Sequence, residues 1–129
     1  MNLFKKLRSK IINKKSTIGI IGLGYVGLPL LLAYSIKNFK VIGFDIDKKK
    51  INELNLGKSY LDSITGSSLK KAKKNFFVTN DFKFIKKCDV IVICVPTPLK
   101  KNFLPDLSYL RKTIKQIYKY LNYGKLICL

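Results

Sequence analysis

The sequence predicts an α/β domain, a parallel sheet wound with helices on both faces in the strand order 3-2-1-4-5. Three observations predict it. Short apolar runs alternate with segments of helical spacing along the 129 residues. Several runs are apolar throughout, as strands covered on both faces are, and 89–95 (DVIVICV) reads as the most strongly buried. A glycine-rich turn joins the first run to the first long helix, and an acid ends the second run. Right-handed crossovers then favour the doubly wound order.

The elements follow in turn. Residues 1–16 predict a basic amphipathic lead-in helix, with Leu3, Phe4, Leu7 and Ile11 at helical spacing among Lys5, Lys6, Arg8 and Lys10. Its expected role is to pack on the domain that follows, 17–129. TIGIIG (17–22) reads as a buried strand. A helix is expected over 25–37, with Pro29 in its first turn, where a missing N–H costs little. KVIGFD (40–45) is the second strand. Asp47 is placed to cap a helix over 48–56, which Gly57 stops. A loop and a short basic helix through Leu69 to Lys74 fill 58–75. FFVT (76–79) is a strand, and Asp81 starts a short helix to Lys87. Pro96 and Pro98 end the fourth strand. Asp106 or Ser108 caps a helix to Tyr120 whose apolar face is Leu107, Leu110, Ile114, Ile117 and Leu121. Gly124 closes it, and KLICL (125–129) begins a fifth strand, after which the domain is expected to be truncated.

Composition narrows the chemistry. With no histidine, Ser-His-Asp triads and His-ligated metals are excluded. Cys88, Cys94 and Cys128 have no zinc spacing and are read as buried, reduced thiols of a cytoplasmic protein. The formal charge of +19 would attract polyanions. The lysines, however, look scattered over helix ends and loops, with no stripe of interleaved aromatics, so specific nucleic-acid binding is not expected. The uncharged run 17–36 is long enough to span a membrane, but Gly19, Gly22, Gly24, Gly27 and Pro29 suit a strand, a turn and a helix start instead.

Gly22-Leu23-Gly24-Tyr25-Val26-Gly27 is G-x-G-x-x-G, and Asp45 follows Gly27 by 18 residues (45 − 27) at the end of the next strand. Between a strand and a helix, that spacing is the dinucleotide fingerprint of a Rossmann-type sheet. Gly22 permits the tight turn, Gly24 lets backbone approach a pyrophosphate, and Gly27 lets helix and sheet pack closely. The helix start favours the negative charge. Asp45 can accept the adenosine ribose hydroxyls and would repel a 2′-phosphate, so NAD is expected over NADP; Lys49 and Lys50 lie near enough to soften that preference. At the end of the fourth strand, Thr97 either offers its hydroxyl to the cofactor or belongs to a proline-rigid loop without a role.

The stretches IGIIGLGYVGLPL (18–30), VIGFDID (41–47), GKSYL (57–61), TNDF (79–82), CDVIVICVPTPL (88–99) and PDLSYL (105–110) cover almost the whole chain. In them the chain resembles the UDP-glucose/GDP-mannose dehydrogenases, and within these the bacterial UDP-N-acetylglucosamine 6-dehydrogenases of surface polysaccharide synthesis. SYLDSITGSSL stands where the UDP-glucose and GDP-mannose branches carry E-P-G-L. The resemblance implies that Val26 brings an N–H to the pyrophosphate and that Lys50 sits beside the ribose held by Asp45. It implies that Thr97 contacts the cofactor near its nicotinamide end. It also implies oxidation of a sugar's C6 alcohol to a carboxylate with two NAD, through a thiohemiacetal on a cysteine. None of that catalytic set matches here. The chain stops at Leu129, where a Glu-Ser-Thr segment follows in the family, and Cys94 does not match the catalytic cysteine. The expectation is therefore an NAD-binding domain without the family's central helix and UDP-binding domain. A UDP-sugar site and a homodimer belong to full-length members. The alternative is a non-catalytic NAD-binding module or the remnant of a truncated gene.

Overall fold

Five parallel strands in the order β3-β2-β1-β4-β5 form the sheet in the computed structural model, which describes residues 2–129. They are β1 (Thr17–Ile21), β2 (Lys40–Phe44), β3 (Phe76–Thr79), β4 (Val90–Ile93) and β5 (Leu126–Cys128). The predicted order is the observed one. Ile18 lies opposite Val41 on one side and Val90 on the other, so β1 sits at the centre of the sheet.

Alternation along the strands feeds two cores. Ile18, Ile20, Val41 and Val90 point to the face covered by α2 (Gly27–Ile36), α3 (Lys48–Asn55) and α4 (Gly66–Ala72), meeting Leu28, Leu31, Leu54 and Leu69. Ile21, Ile42, Phe44, Ile91 and Ile93 point to the other face, against the 3-10 segment Phe82–Lys87 and α5 (Ser108–Ile117). The inner strands β1, β2 and β4 are therefore apolar past their first residues for a simple reason: both faces are covered there, whereas Lys40 at the start of β2 and Leu126 and Ile127 on the edge strand β5 are exposed.

The lead-in helix α1 (Leu3–Ile12) lies against the domain through Leu7 and Ile11. The Lys10 ammonium donates to Asp89 at 2.7 Å, and the other Asp89 oxygen accepts from the Thr17 N–H at 2.9 Å. One carboxylate thus ties α1 to the start of β1. Leu3 and Phe4, assigned to the same packing stripe from sequence, are instead exposed.

Elements end where local chemistry ends them. β1 stops one residue early because Gly22 turns at φ +91°. β4 runs only from Val90 to Ile93, short of the expected 89–95 at both ends. The helix expected from 25 begins at Gly27, and its predecessors form a turn. The last helix is α-helical to Ile117 and tightens to a 3-10 turn over Tyr118–Tyr120. Its buried stripe differs from the expected one. Thr113 is buried, its hydroxyl donating to the Tyr109 carbonyl, while Leu107 and Ile114 are 39% and 44% exposed. Leu110, Thr113, Ile117 and Leu121 form the true 3.6-residue stripe, and Ile114 stands one step off it.

The cysteines also depart from expectation. All three are free, but only Cys88 is fully buried; Cys94 and Cys128, inside the apolar runs, are half-buried. Cys88 fills the space left by Gly19, where a Cβ would stand 2.8 Å from its sulfur. Among the described residues, no helix is long and apolar enough to cross a membrane.

Candidate functional site

The chain leaves β1 and β4 in opposite directions, and the crevice between their carboxyl ends is where doubly wound sheets bind ligands. A cleft of about 830 Å³ opens there, in the size range of small-molecule sites. Gly22, Gly24, Tyr25, Val26, Asp45, Lys50 and Thr97 all line it. Of the residues singled out from sequence for the cofactor, Gly27 lies behind the cleft wall, and Lys49, expected beside Lys50, is not on the lining. A Cβ on Gly27 would stand 1.6 Å from the Gly22 carbonyl oxygen, so the start of α2 can sit against the end of β1 only if residue 27 is glycine.

The glycine loop leaves room on its open side. A Cβ on Gly22 would meet the Cys94 carbonyl at 2.8 Å, whereas one on Gly24 would meet no atom within 4 Å. The space before Gly24 is therefore open to a ligand. Among the described residues, the N–H groups of Gly24, Tyr25 and Val26 have no protein acceptor. They stand at the N-terminus of α2, where helix dipole and free donors favour an anion.

Asp45 is 9% exposed and already organised. One carboxylate oxygen accepts from the Leu23 N–H and the other from the Asp47 N–H, each at 2.9 Å. Asp47 then caps α3 by accepting from the Lys49 N–H. A carboxylate has about four acceptor directions, so two remain for hydroxyls of a ligand. The Lys50 ammonium stands 4.0 Å from the Asp45 oxygen.

A model of the UDP-glucose/GDP-mannose dehydrogenase family, NAD binding domain, matches residues 16–129. The chain belongs to this family. It carries the family's NAD-binding domain, and the sequence-stretch resemblance and the NAD expectation stand. UDP-N-acetyl-D-glucosamine 6-dehydrogenase of Salmonella typhi is 40% identical over 110 residues, 85% of this chain and 25% of that protein. The solved UDP-D-ManNAc dehydrogenase of Pyrococcus horikoshii superposes with a TM-score of 0.79 at 32% identity, over 86% of this chain and 27% of that one. For the ternary complex of Pseudomonas aeruginosa GDP-mannose dehydrogenase the values are 0.72 and 36%, over 78% and 24%. The chain thus spans about a quarter of the length of these dehydrogenases.

Sequence reasoning missed one support behind the glycine loop and one wall of the cleft. Tyr60 reaches across from the loop before α4, and its hydroxyl donates to the Leu23 carbonyl. Burial and the nearby carboxylates of Asp45, Asp47 and Glu53 push its phenol well above the usual range, so it stays a donor. The Lys50 ammonium lies 5.5 Å from the centre of the Tyr60 ring. Asp45 and Tyr60 thus hold the N–H and the C=O of the same residue, Leu23. The SYL stretch marked the family but gave no sign of this contact. From α5, Tyr109, Lys112, Thr113 and Gln116 close the far side of the cleft. Their i, i+3, i+4 spacing was the available signal, obscured by the apolar residues between them. Cys94 also lines the cleft, but burial raises its thiol pKa, which keeps it protonated and a poor nucleophile.

Proposed function

We propose that this chain is the NAD-binding part of a nucleotide-sugar dehydrogenase that oxidises the C6 alcohol of UDP-N-acetylglucosamine, or a related UDP-sugar, to the uronate. The observation that carries this reading is the 40% identity to the Salmonella typhi enzyme across most of the chain. The open, donor-lined glycine loop beside a buried carboxylate is consistent with it. Bound NAD would accept the hydride lost by the sugar carbon.

The roles of this chain's residues are binding and orientation. Gly24, Tyr25 and Val26 present N–H groups to the pyrophosphate, with the N-terminus of α2 behind them. Asp45 takes the adenosine ribose hydroxyls, and its negative charge disfavours a 2′-phosphate. Lys50, held between Asp45 and Tyr60, sits at the ribose edge. Thr97, exposed beyond β4 at the cleft, contacts the cofactor towards the nicotinamide. Gly22 and Gly27 shape the loop. We assign the protein to the cytoplasm, where NAD and UDP-sugars occur together; the free cysteines agree with that.

The test is to purify the native protein that carries this chain and incubate it with NAD and UDP-N-acetylglucosamine. Conversion of an alcohol to a carboxylate removes two hydrides, so two NADH per sugar oxidised are expected. NADH formed with none of the UDP-N-acetylhexosamines or UDP-hexoses would overturn the dehydrogenase reading.

A further inference from the structure

About half of the basic residues that look scattered along the sequence are gathered by the fold at one edge. In a wholly parallel sheet every strand begins at the same edge, opposite the cofactor cleft. The segments that lead into the strands are basic in every case. Lys14 and Lys15 precede β1; Lys37 and Lys40 enter β2; Lys73 and Lys74 precede β3; Lys86 and Lys87 precede β4; Lys125 precedes β5. The first eight of these are exposed. The one acid in these segments, Asp89, is already paired with Lys10.

Helix α1 lies along this edge, since Lys10 reaches Asp89 at the start of β4 and Leu3 approaches Gly124 ahead of β5. It adds exposed Lys5, Lys6 and Arg8. Cations near helix C-termini offset the dipole, which accounts for part of the pattern. It does not account for apolar side chains standing in water among them. Phe4 is 73% exposed, Tyr123 95%, and Leu3 and Ile12 more than half.

We propose that this edge docks the protein on an anionic lipid surface. Lysines supply long-range attraction to acidic headgroups, and Phe4, Leu3 and Tyr123 enter the interface. The aliphatic anchors favour a membrane over a nucleic acid, which offers phosphates and stacking but nothing to receive a leucine. The cofactor cleft, at the opposite edge, faces away from the surface and stays open. This proposal is independent of which sugar is oxidised.

The experiment is flotation of the native protein with vesicles of phosphatidylcholine alone, or with about 30% phosphatidylglycerol added. Binding is expected only to the anionic vesicles, with release by salt at about 0.5 M. Replacing Lys15, Lys37, Lys40 and Lys74 by Glu removes cations that make no ion pair or cation–π contact among the described residues. At about fivefold per lysine, this variant should lose anionic-vesicle binding by far more than tenfold, with NAD affinity unchanged and the fold retained, thermal unfolding falling by only a few degrees from the lost helix-end charge. The second variant, Phe4→Ser with Tyr123→Ser, should weaken vesicle binding while keeping its salt dependence. The proposal is overturned by equal binding to neutral vesicles, by no vesicle binding at all, by tight binding of duplex nucleic acid without vesicle binding, or by wild-type flotation of both variants.

Discussion

The Tyr60 hydroxyl donates to the carbonyl of Leu23, whose N–H is held by Asp45. A residue far along the chain thereby fixes the peptide plane that leads into Gly24. Removing the hydroxyl alone, as Tyr60→Phe, should keep the ring under Lys50 and loosen the glycine loop. One hydrogen bond of ordinary strength corresponds to about a fivefold loss of NAD affinity. Calorimetric titration checks it; unchanged affinity would mean that the loop is held by Asp45 alone.

Gly24 and Gly27 should fail in different ways. A methyl on Gly24 meets no protein atom, so Gly24→Ala should fold normally and weaken NAD binding by about tenfold or more. A methyl on Gly27 meets the Gly22 carbonyl at 1.6 Å, so Gly27→Ala should cost more than about 3 kcal/mol of stability. Thermal unfolding and NAD titration of both variants separate the two. Equal behaviour of the pair would contradict the assignment of one glycine to ligand clearance and the other to packing.

Alkali should destabilise the fold through Cys88. Burial pushes this thiol from 9.0 up to about 12, with Lys125 pulling weakly the other way. The folded state holds the proton more tightly than the unfolded chain does. Its contribution is therefore complete below about pH 9 and is lost as pH rises towards 12. Denaturant midpoints measured in reductant across this window should fall with pH, and Cys88→Ala should flatten the decline. Equal slopes for the two proteins would exclude Cys88 as the cause.

The sheet and the centre of the site were legible because their signals are local. Gly22 to Gly27 form one turn, Asp45 sits at the end of the next strand, and all-apolar strands such as VIVI report two covered faces. What the sequence hid depends on distance or on one step of helical phase. Tyr60 meets Leu23 only after α3 has folded back. The buried stripe of α5 runs through Thr113, a polar residue whose hydroxyl is satisfied within the helix, and so bypasses Ile114. The basic edge is invisible in one dimension, since its lysine groups come together only when five parallel strands share one end.

In the proposed site Asp45 is the group that reads the adenosine ribose. Titration of the native protein and of Asp45→Asn with NAD and with NADP tests this most directly. The expected result is one NAD site per chain, preferred over NADP by about tenfold or more, with most of that preference gone in Asp45→Asn. Equal affinity of the native protein for NAD and NADP, or an Asp45→Asn variant that discriminates as well as the native protein, would contradict it.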